Sequence, residues 1–577
     1  MGLDGATFDL IGPLMAQGKL PNLSRIASKG VHGKLYSTIL PLSPTAWTSF
    51  STGKNPGKHG IYDFSKRQSD SYEYVPTTSL DSKSENLWDL VGRFSERSSI
   101  VVNVPLTYPP SPLRGVMISG FPTPVSRRDY TYPEELLPAL EERFGEIRIH
   151  KPTVLYSRGK EQEITNALID ATRQQTEITR YLMEFVDDWA LTVSVYDATD
   201  VLGHYFWAFL DPQHPKYDPK LAGPVRQMVE QIHIELDRAI GELSEAAGQD
   251  SLNLVISDHG FGPVYHGVYV NNWLLEKGYM NFKRSRAVTA KYWAYRHGLH
   301  TYNILRIVEK LKLVKSIESA YATRSTMLRL LRKTALSMDD IDWERTRVYS
   351  FGNLGQLYLN VKGREPNGIV EPEDSQALIR KLTEEIKGLE DPTTHRRMFD
   401  HVYSKSDIFF GEESPNSPDV VFFDEDMTYS AHRMFELGSN KLVTLHPIYS
   451  GNHRMDGILF MEGPGVDPSP ATFQSKAELI DLAPTILRYL HNTIPEDIDG
   501  RVLYELFSDE GGDEKRRAER IGEEERLKVL QKPQQQQQKQ QRRNKSEAAE
   551  AKNKNSESSE ASRIELGIKN LRSRSAL

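Results

Sequence analysis

Short apolar runs, each only long enough for a strand, recur along this chain between stretches of helical spacing. The runs fall at residues 99–104, 190–196, 252–257, 418–423 and 457–461, and the helical stretches at 133–144, 161–185 and 225–247. Strands alternating with helices predict an α/β fold, a three-layer α/β/α sandwich around a largely parallel sheet. Residues 265–345 break the alternation. They are rich in Tyr, Arg, Lys and Leu, with helical spacing at 287–295 and 305–336 and no clear strand. That predicts an inserted helical cap, dividing the body into a core of 1–264, a cap of 265–345 and a second core part of 346–508.

Composition narrows the function classes. With 577 residues the chain exceeds one domain of roughly 150 residues. At 38% hydrophobic and 26% charged it is neither mostly disordered nor polytopic. No window reaches the ~18 uncharged apolar residues of a membrane span. Cysteine is absent, which removes disulfides, thiolate metal sites and cysteine nucleophiles together. The first residues have neither a basic nor an apolar signal region, so a cytoplasmic location is expected. Residues 509–577 hold 17 Lys/Arg against 13 Asp/Glu, a net of +4, which leaves about −11 of the overall −7 on residues 1–508. An acidic body makes nucleic acid an improbable partner for the core. The tail, with its glutamine run at 534–538, lacks core-forming residues and is expected to be disordered, its partner unassigned.

The chemistry-bearing residues cluster at strand ends. Asp4 follows a very short N-terminal run, Asp200 and His204 follow the 190–196 run, and Asp258-His259 follows Leu254-Val255-Ile256-Ser257. His453 lies just before the 457–461 run. Ligands of open α/β sheets gather outside the carboxyl ends of strands. Six Asp/His side chains there could hold two divalent ions, with donors suited to Zn²⁺ or Mn²⁺. Ser43-Pro44 has the pattern of a helix cap followed by proline, which would hold a hydroxyl at the positive end of a helix. Thr45 is the rival hydroxyl. Taken singly, each feature has a plainer reading: Asp258-His259 as a capped turn, Asp200 and His204 as a helix-surface pair, Ser43 as a simple cap. Asp197, His214 and His59 are read as structural, and the Gly53–His59 stretch as a tight turn, because it lacks phosphate-loop spacing.

Taken in order, Asp4, Ser43, Asp200-x-x-x-His204, Asp258-His259 and His453 resemble the alkaline phosphatase superfamily. Within it the chain looks most like the type I phosphodiesterase/nucleotide pyrophosphatase group. Gly2-Leu3-Asp4-Gly5-Ala6, Thr52-Gly53-Lys54-Asn55-Pro56-Gly57-Lys58-His59-Gly60-Ile61, Asp481-Leu482-Ala483-Pro484-Thr485 and Gly363-Arg364-Glu365-Pro366 strengthen the match, which covers residues 1–508. The resemblance implies one metal held by Asp200, His204 and His453, and another by Asp4, Asp258, His259 and the Ser43 oxygen. It implies that Ser43 attacks phosphorus, giving a covalent phosphoryl-serine intermediate that is then hydrolysed.

The chain departs from the group at three places. Only three residues precede Asp4, serine replaces the usual threonine nucleophile, and Ala46 stands where an asparagine commonly binds a phosphate oxygen. Sulfatase chemistry is disfavoured, because no convertible cysteine exists and Ser43 lacks the following arginine. The expected activity is hydrolysis of phosphate diesters or nucleotide pyrophosphate bonds in a small substrate. Phosphoryl or phosphoalcohol transfer, as in related mutases, is one alternative. A non-catalytic binding protein on this fold is the other.

Overall fold

Trp189–Tyr196, Gly2–Leu3 and Asn253–Ile256 lie side by side and parallel at the middle of a nine-stranded sheet. The computed structural model describes residues 1–147, 158–300, 303, 335–432, 435, 438–468 and 476–508. The tail, 509–577, lies outside the described residues. On the far side of Trp189–Tyr196 come Ser98–Val104, Gly115–Ser119 and Thr131–Tyr132; beyond Asn253–Ile256 come Asp456–Glu462, Val31–Tyr36 and Ala477–Glu478. Most pairings are parallel, as the alternation predicts. Asp456–Glu462 runs antiparallel to both its neighbours.

Successive residues of a strand face opposite sides, and the sheet uses both faces. Ile100, Val102, Val255 and Phe460 enter one apolar cluster with the helices Glu161–Phe185 and Pro219–Ala247. Val101, Ile256, Leu459 and Met461 enter a second, against the helices Ser43–Thr52, Leu87–Phe94 and Leu482–Tyr489. These are the three layers.

Two sequence expectations require correction. The 418–423 run does form a strand, Val420–Phe423, but in a separate four-stranded antiparallel sheet. A continuous apolar run reports burial on both faces and says nothing about its neighbours' direction. The cap is not purely helical either. His266–Tyr269 is a strand, paired with Tyr429–His432 and Val443–Leu445; four residues are too few to register as a periodic run. The helix expected at 287–295 is present as Arg286–Arg296, whereas all of 305–336 except its last two residues lies outside the described residues. Nor does packing break at residue 345, since one apolar cluster runs from Val268 to Phe435.

Residues 509–577 are charged and glutamine-rich, with few large apolar side chains. Deleting them is therefore expected to shift the melting temperature by no more than a degree or two and to leave hydrolysis unchanged. A truncated chain that no longer folds would refute this.

Candidate active site

The three central strands deliver three carboxylates to one place. Asp4 follows Gly2–Leu3 directly, with its N–H donating to the Tyr196 carbonyl (2.9 Å). Asp258 follows Asn253–Ile256, and Gly5 N–H donates to its Oδ1 (3.2 Å). Gly5 has φ +71°, and a Cβ there would meet Phe261 at 2.8 Å, so the turn that aims this N–H requires glycine. Asp200 sits in the first turn of the helix Ala198–Leu210, and His204 lies one turn further on the same face. Their contact is 3.3 Å. This i,i+4 pair is turned inward, not onto the helix surface. His453 arrives on the strand Gly451–Arg454, opposite Phe261 of Gly260–Pro263.

All seven residues expected from the sequence converge. Asp200 Oδ1 lies 3.3 Å from His204 Nε2 and 3.4 Å from His453 Nε2. His259 Nε2 lies 3.6 Å from Asp4 Oδ1 and 3.3 Å from Asp258 Oδ2. Ser43 Oγ is 3.4 Å from both Asp4 Oδ1 and His259 Nε2. Ligand atoms converge in two groups, Asp200–His204–His453 and Asp4–Asp200–His259. Asp200 belongs to both, which sequence spacing did not suggest. Except for the half-buried His204, all seven are buried.

The helix carrying Ser43 begins one residue earlier than expected. Its cap is Leu42, so Ser43 and Pro44 occupy the first turn. A proline there loses no helical hydrogen bond. Ser43 Oγ is thereby released from capping and faces the carboxylates. Thr45 points elsewhere: its buried Oγ1 has no hydrogen-bond partner among the described residues. Gly53 ends the helix with φ +66°, and Asn55 caps the short helix Pro56–His59, which makes this stretch a turn. His59 Nε2 lies 2.9 Å from Ser49 Oγ while its Nδ1 accepts from Ile61 N–H. His214 is likewise held by the Val264 carbonyl and Lys216 N–H. Asp197 lines a cavity of about 10 Å³ beside Ser43, together with Asp4 and Asn103.

Several contributors escaped the sequence reading. Trp47 Nε1–H donates to Asp4 Oδ2 (3.2 Å), and Thr199 Oγ1 donates to the Asp4 carbonyl (2.6 Å). Three backbone carbonyls also take part. Pro41 accepts from His453 Nδ1 (2.6 Å), Gly451 from His204 Nδ1 (3.2 Å) and Gly260 from His259 Nδ1 (3.1 Å). An indole among the hydroxyl-bearing residues of its helix gives a faint signal; a carbonyl gives none.

These bonds fix the chemistry. With Nδ1 carrying the proton, each Nε2 presents a lone pair to the centre. His204 Nε2 and His453 Nε2 are 3.3 Å apart, so two lone pairs and a carboxylate oxygen face one point. A divalent cation would satisfy all three. Burial first, then the neighbouring His259, lowers the His453 pKa to about 3, keeping its ring neutral. Asp258 Oδ2 is buried, touches His259 and accepts no hydrogen bond. The donor set fits divalent ions bound by oxygen and imidazole nitrogen.

Burial, followed by the Asp200 charge, raises the Asp258 pKa to about 8. A carboxyl raised from about 3.9 binds its proton more tightly folded than unfolded. Between those two pH values the unfolded state holds fewer protons, so this group's contribution to stability falls as pH rises, while the lowered His453 pKa acts in the opposite sense. The Asp258 contribution is therefore read by difference: in chelator, Asp258→Asn is expected to gain melting temperature relative to the wild type between pH 5.5 and pH 8. A difference between the two proteins that does not change with pH would contradict this.

A largely parallel α/β sheet thus bears a buried carboxylate–imidazole centre, with a helix-borne hydroxyl against it. The chain belongs to the type I phosphodiesterase/nucleotide pyrophosphatase family, within the alkaline phosphatase superfamily, and the family profile matches residues 1–435. It is thus a phosphoric ester hydrolase by family. Among solved structures it is similar to human ectonucleotide pyrophosphatase/phosphodiesterase 5, at 14% identity over 88% of this chain and 98% of that one, with a TM-score of 0.46. It is also similar to phosphonoacetate hydrolase from Sinorhizobium meliloti, at 12% identity over 84% of this chain and 94% of that one, with a TM-score of 0.45. No curated protein matches the sequence.

Proposed function

We propose that the protein hydrolyses phosphate diesters or nucleotide pyrophosphate bonds with two divalent ions, through a phosphoryl-Ser43 intermediate. The observation that carries this reading is Ser43 Oγ lying 3.4 Å from both Asp4 Oδ1 and His259 Nε2, with three Nε2 lone pairs turned to the same centre. Asp200, His204 and His453 would hold one ion; Asp4, Asp258, His259 and the Ser43 oxygen would hold the other. The ions, when bound, would lower the pKa of the Ser43 hydroxyl and neutralise charge on the attacking and leaving oxygens.

The chain's own residues do the rest. The first turn of the helix Ser43–Thr52 directs its positive end at an incoming phosphoryl group. Asp4, oriented by Trp47, and His259 both lie 3.4 Å from the Ser43 hydroxyl oxygen. Ser43 gives up its hydroxyl proton to solvent, its Oγ forms the new bond to phosphorus as the bond to the leaving oxygen breaks, and that oxygen takes a proton from solvent. Water then cleaves the Ser43 ester and restores the hydroxyl. With Ala46 offering no amide, the substrate oxygens depend more heavily on the ions than in relatives with asparagine.

The test is a screen of Zn²⁺- and Mn²⁺-loaded protein against monoester, diester, nucleoside triphosphate and sulfate ester substrates. Hydrolysis of diester or pyrophosphate bonds above the others is expected. Product formed only when an alcohol acceptor is present would point to transfer. Full metal occupancy with no turnover would leave a binding protein.

A further inference from the structure

We infer that the helix Arg286–Arg296, with the apolar residues beside it, docks on an anionic lipid bilayer. The helix is anchored on one side only. Val288 and Tyr295 are buried, and Tyr295 O–H donates to Asn272 Oδ1 (3.0 Å). On the opposite side Arg286, Ala290, Trp293 and His297 follow at helical spacing, and all are exposed. Trp293 is 60% exposed and Leu299 is 67% exposed. Large exposed apolar side chains on one helix face mark an interaction surface, and tryptophan is the side chain most suited to a bilayer interface.

Charge selects the partner. The helix has no acidic residue, and Lys283 and Arg284 precede it. Lys291 pairs with Asp340 (3.1 Å), and Glu276 faces Arg296; Lys283, Arg284 and Arg286 make no ion pair among the described residues. From 283 to 333 the sequence carries 13 Lys/Arg against two Glu, a net of +11 in a chain of −7. The docking face itself comprises the exposed side chains of residues 283–299. Basic charge interleaved with tryptophan and leucine is the pattern of a helix lying in the plane of an anionic surface.

The face is joined to the active site by one segment. Asn440 Nδ2 donates to the Arg296 carbonyl (2.9 Å). From there the chain passes through Val443–Leu445 to Tyr449, whose ring centroid lies 4.3 Å from that of His204. Leu445 and Ile448, 43% and 50% exposed, lie on this stretch.

Cosedimentation of the full chain with vesicles tests this without reference to hydrolysis. Binding is expected to phosphatidylcholine vesicles containing phosphatidylglycerol, not to phosphatidylcholine alone, and to weaken as salt rises. The double variant Arg284→Glu/Arg286→Glu should bind about tenfold or more weakly, and Trp293→Ala roughly tenfold more weakly. Brominated lipid should quench wild-type fluorescence more than that of Trp293→Phe. All three variants alter exposed side chains and should keep the wild-type melting temperature and hydrolysis of a soluble ester. Equal sedimentation with neutral and anionic vesicles would overturn the inference, as would unchanged binding by the double variant. Binding to duplex DNA at salt that removes vesicle binding would assign the face to nucleic acid instead.

Discussion

Replacing Ser43 by alanine is expected to abolish covalent phosphorylation of the protein and to lower kcat by several orders of magnitude. The reason is positional. Ser43 Oγ is the hydroxyl that contacts Asp4 and His259, and nothing in the first turn of its helix can take its place. Thr45, two residues on, is buried without reaching either. Thr45→Ala should therefore cost about tenfold or less, roughly 1.4 kcal/mol in the barrier. Ser43→Thr keeps the nucleophilic oxygen and should retain activity. Metal content of Ser43→Ala should fall only modestly, because Asp4, Asp258 and His259 remain. Mass spectrometry of protein quenched after mixing with substrate locates the adduct. A phosphoryl group on Thr45, or full turnover in Ser43→Ala, would overturn the assignment.

The second large effect concerns Asp200. Its carboxylate belongs to both candidate ion groups, whereas His204 belongs to one. Asp200→Ala is thus expected to lose the ion it shares with His204 and His453, to weaken the binding of the other, and to lower kcat/KM by roughly a thousandfold or more, about 4 kcal/mol. His204→Ala should leave the affinity for the ion near Asp4 and His259 unchanged. Metal titration of the two purified variants, beside turnover measurements, makes the comparison direct. Equal affinity for that second ion in both variants would refute the shared role.

How much of this was legible in the sequence depends on what each interaction leaves behind in residue types. Strands buried on both faces announce themselves as apolar runs, and the long helices as periodic ones, so the sandwich could be read directly. Asp4, Asp200 and Asp258 could be placed because each follows such a run. Strand direction could not: Val420–Phe423 and Trp189–Tyr196 look alike as text, yet one pairs antiparallel and the other parallel. The sharing of Asp200 was hidden too, because it depends on how far the helix Ala198–Leu210 leans across the sheet. The strand His266–Tyr269 is defined by its partners at Tyr429–His432 and Val443–Leu445, far away in the chain.

The three imidazoles are oriented by main-chain oxygens of Pro41, Gly451 and Gly260, not by side chains. An acceptor of that kind cannot be deleted by substitution; it can only be displaced. Residues 39–42 and 449–452 therefore act on the imidazoles through the path of the chain, which Gly451 keeps because a Cβ there would meet the Gly203 carbonyl oxygen at 2.3 Å, and losses of function there should trace to altered loop geometry. The information that sets the protonation pattern of this centre is stored in shape, where a comparison of residue identities does not find it.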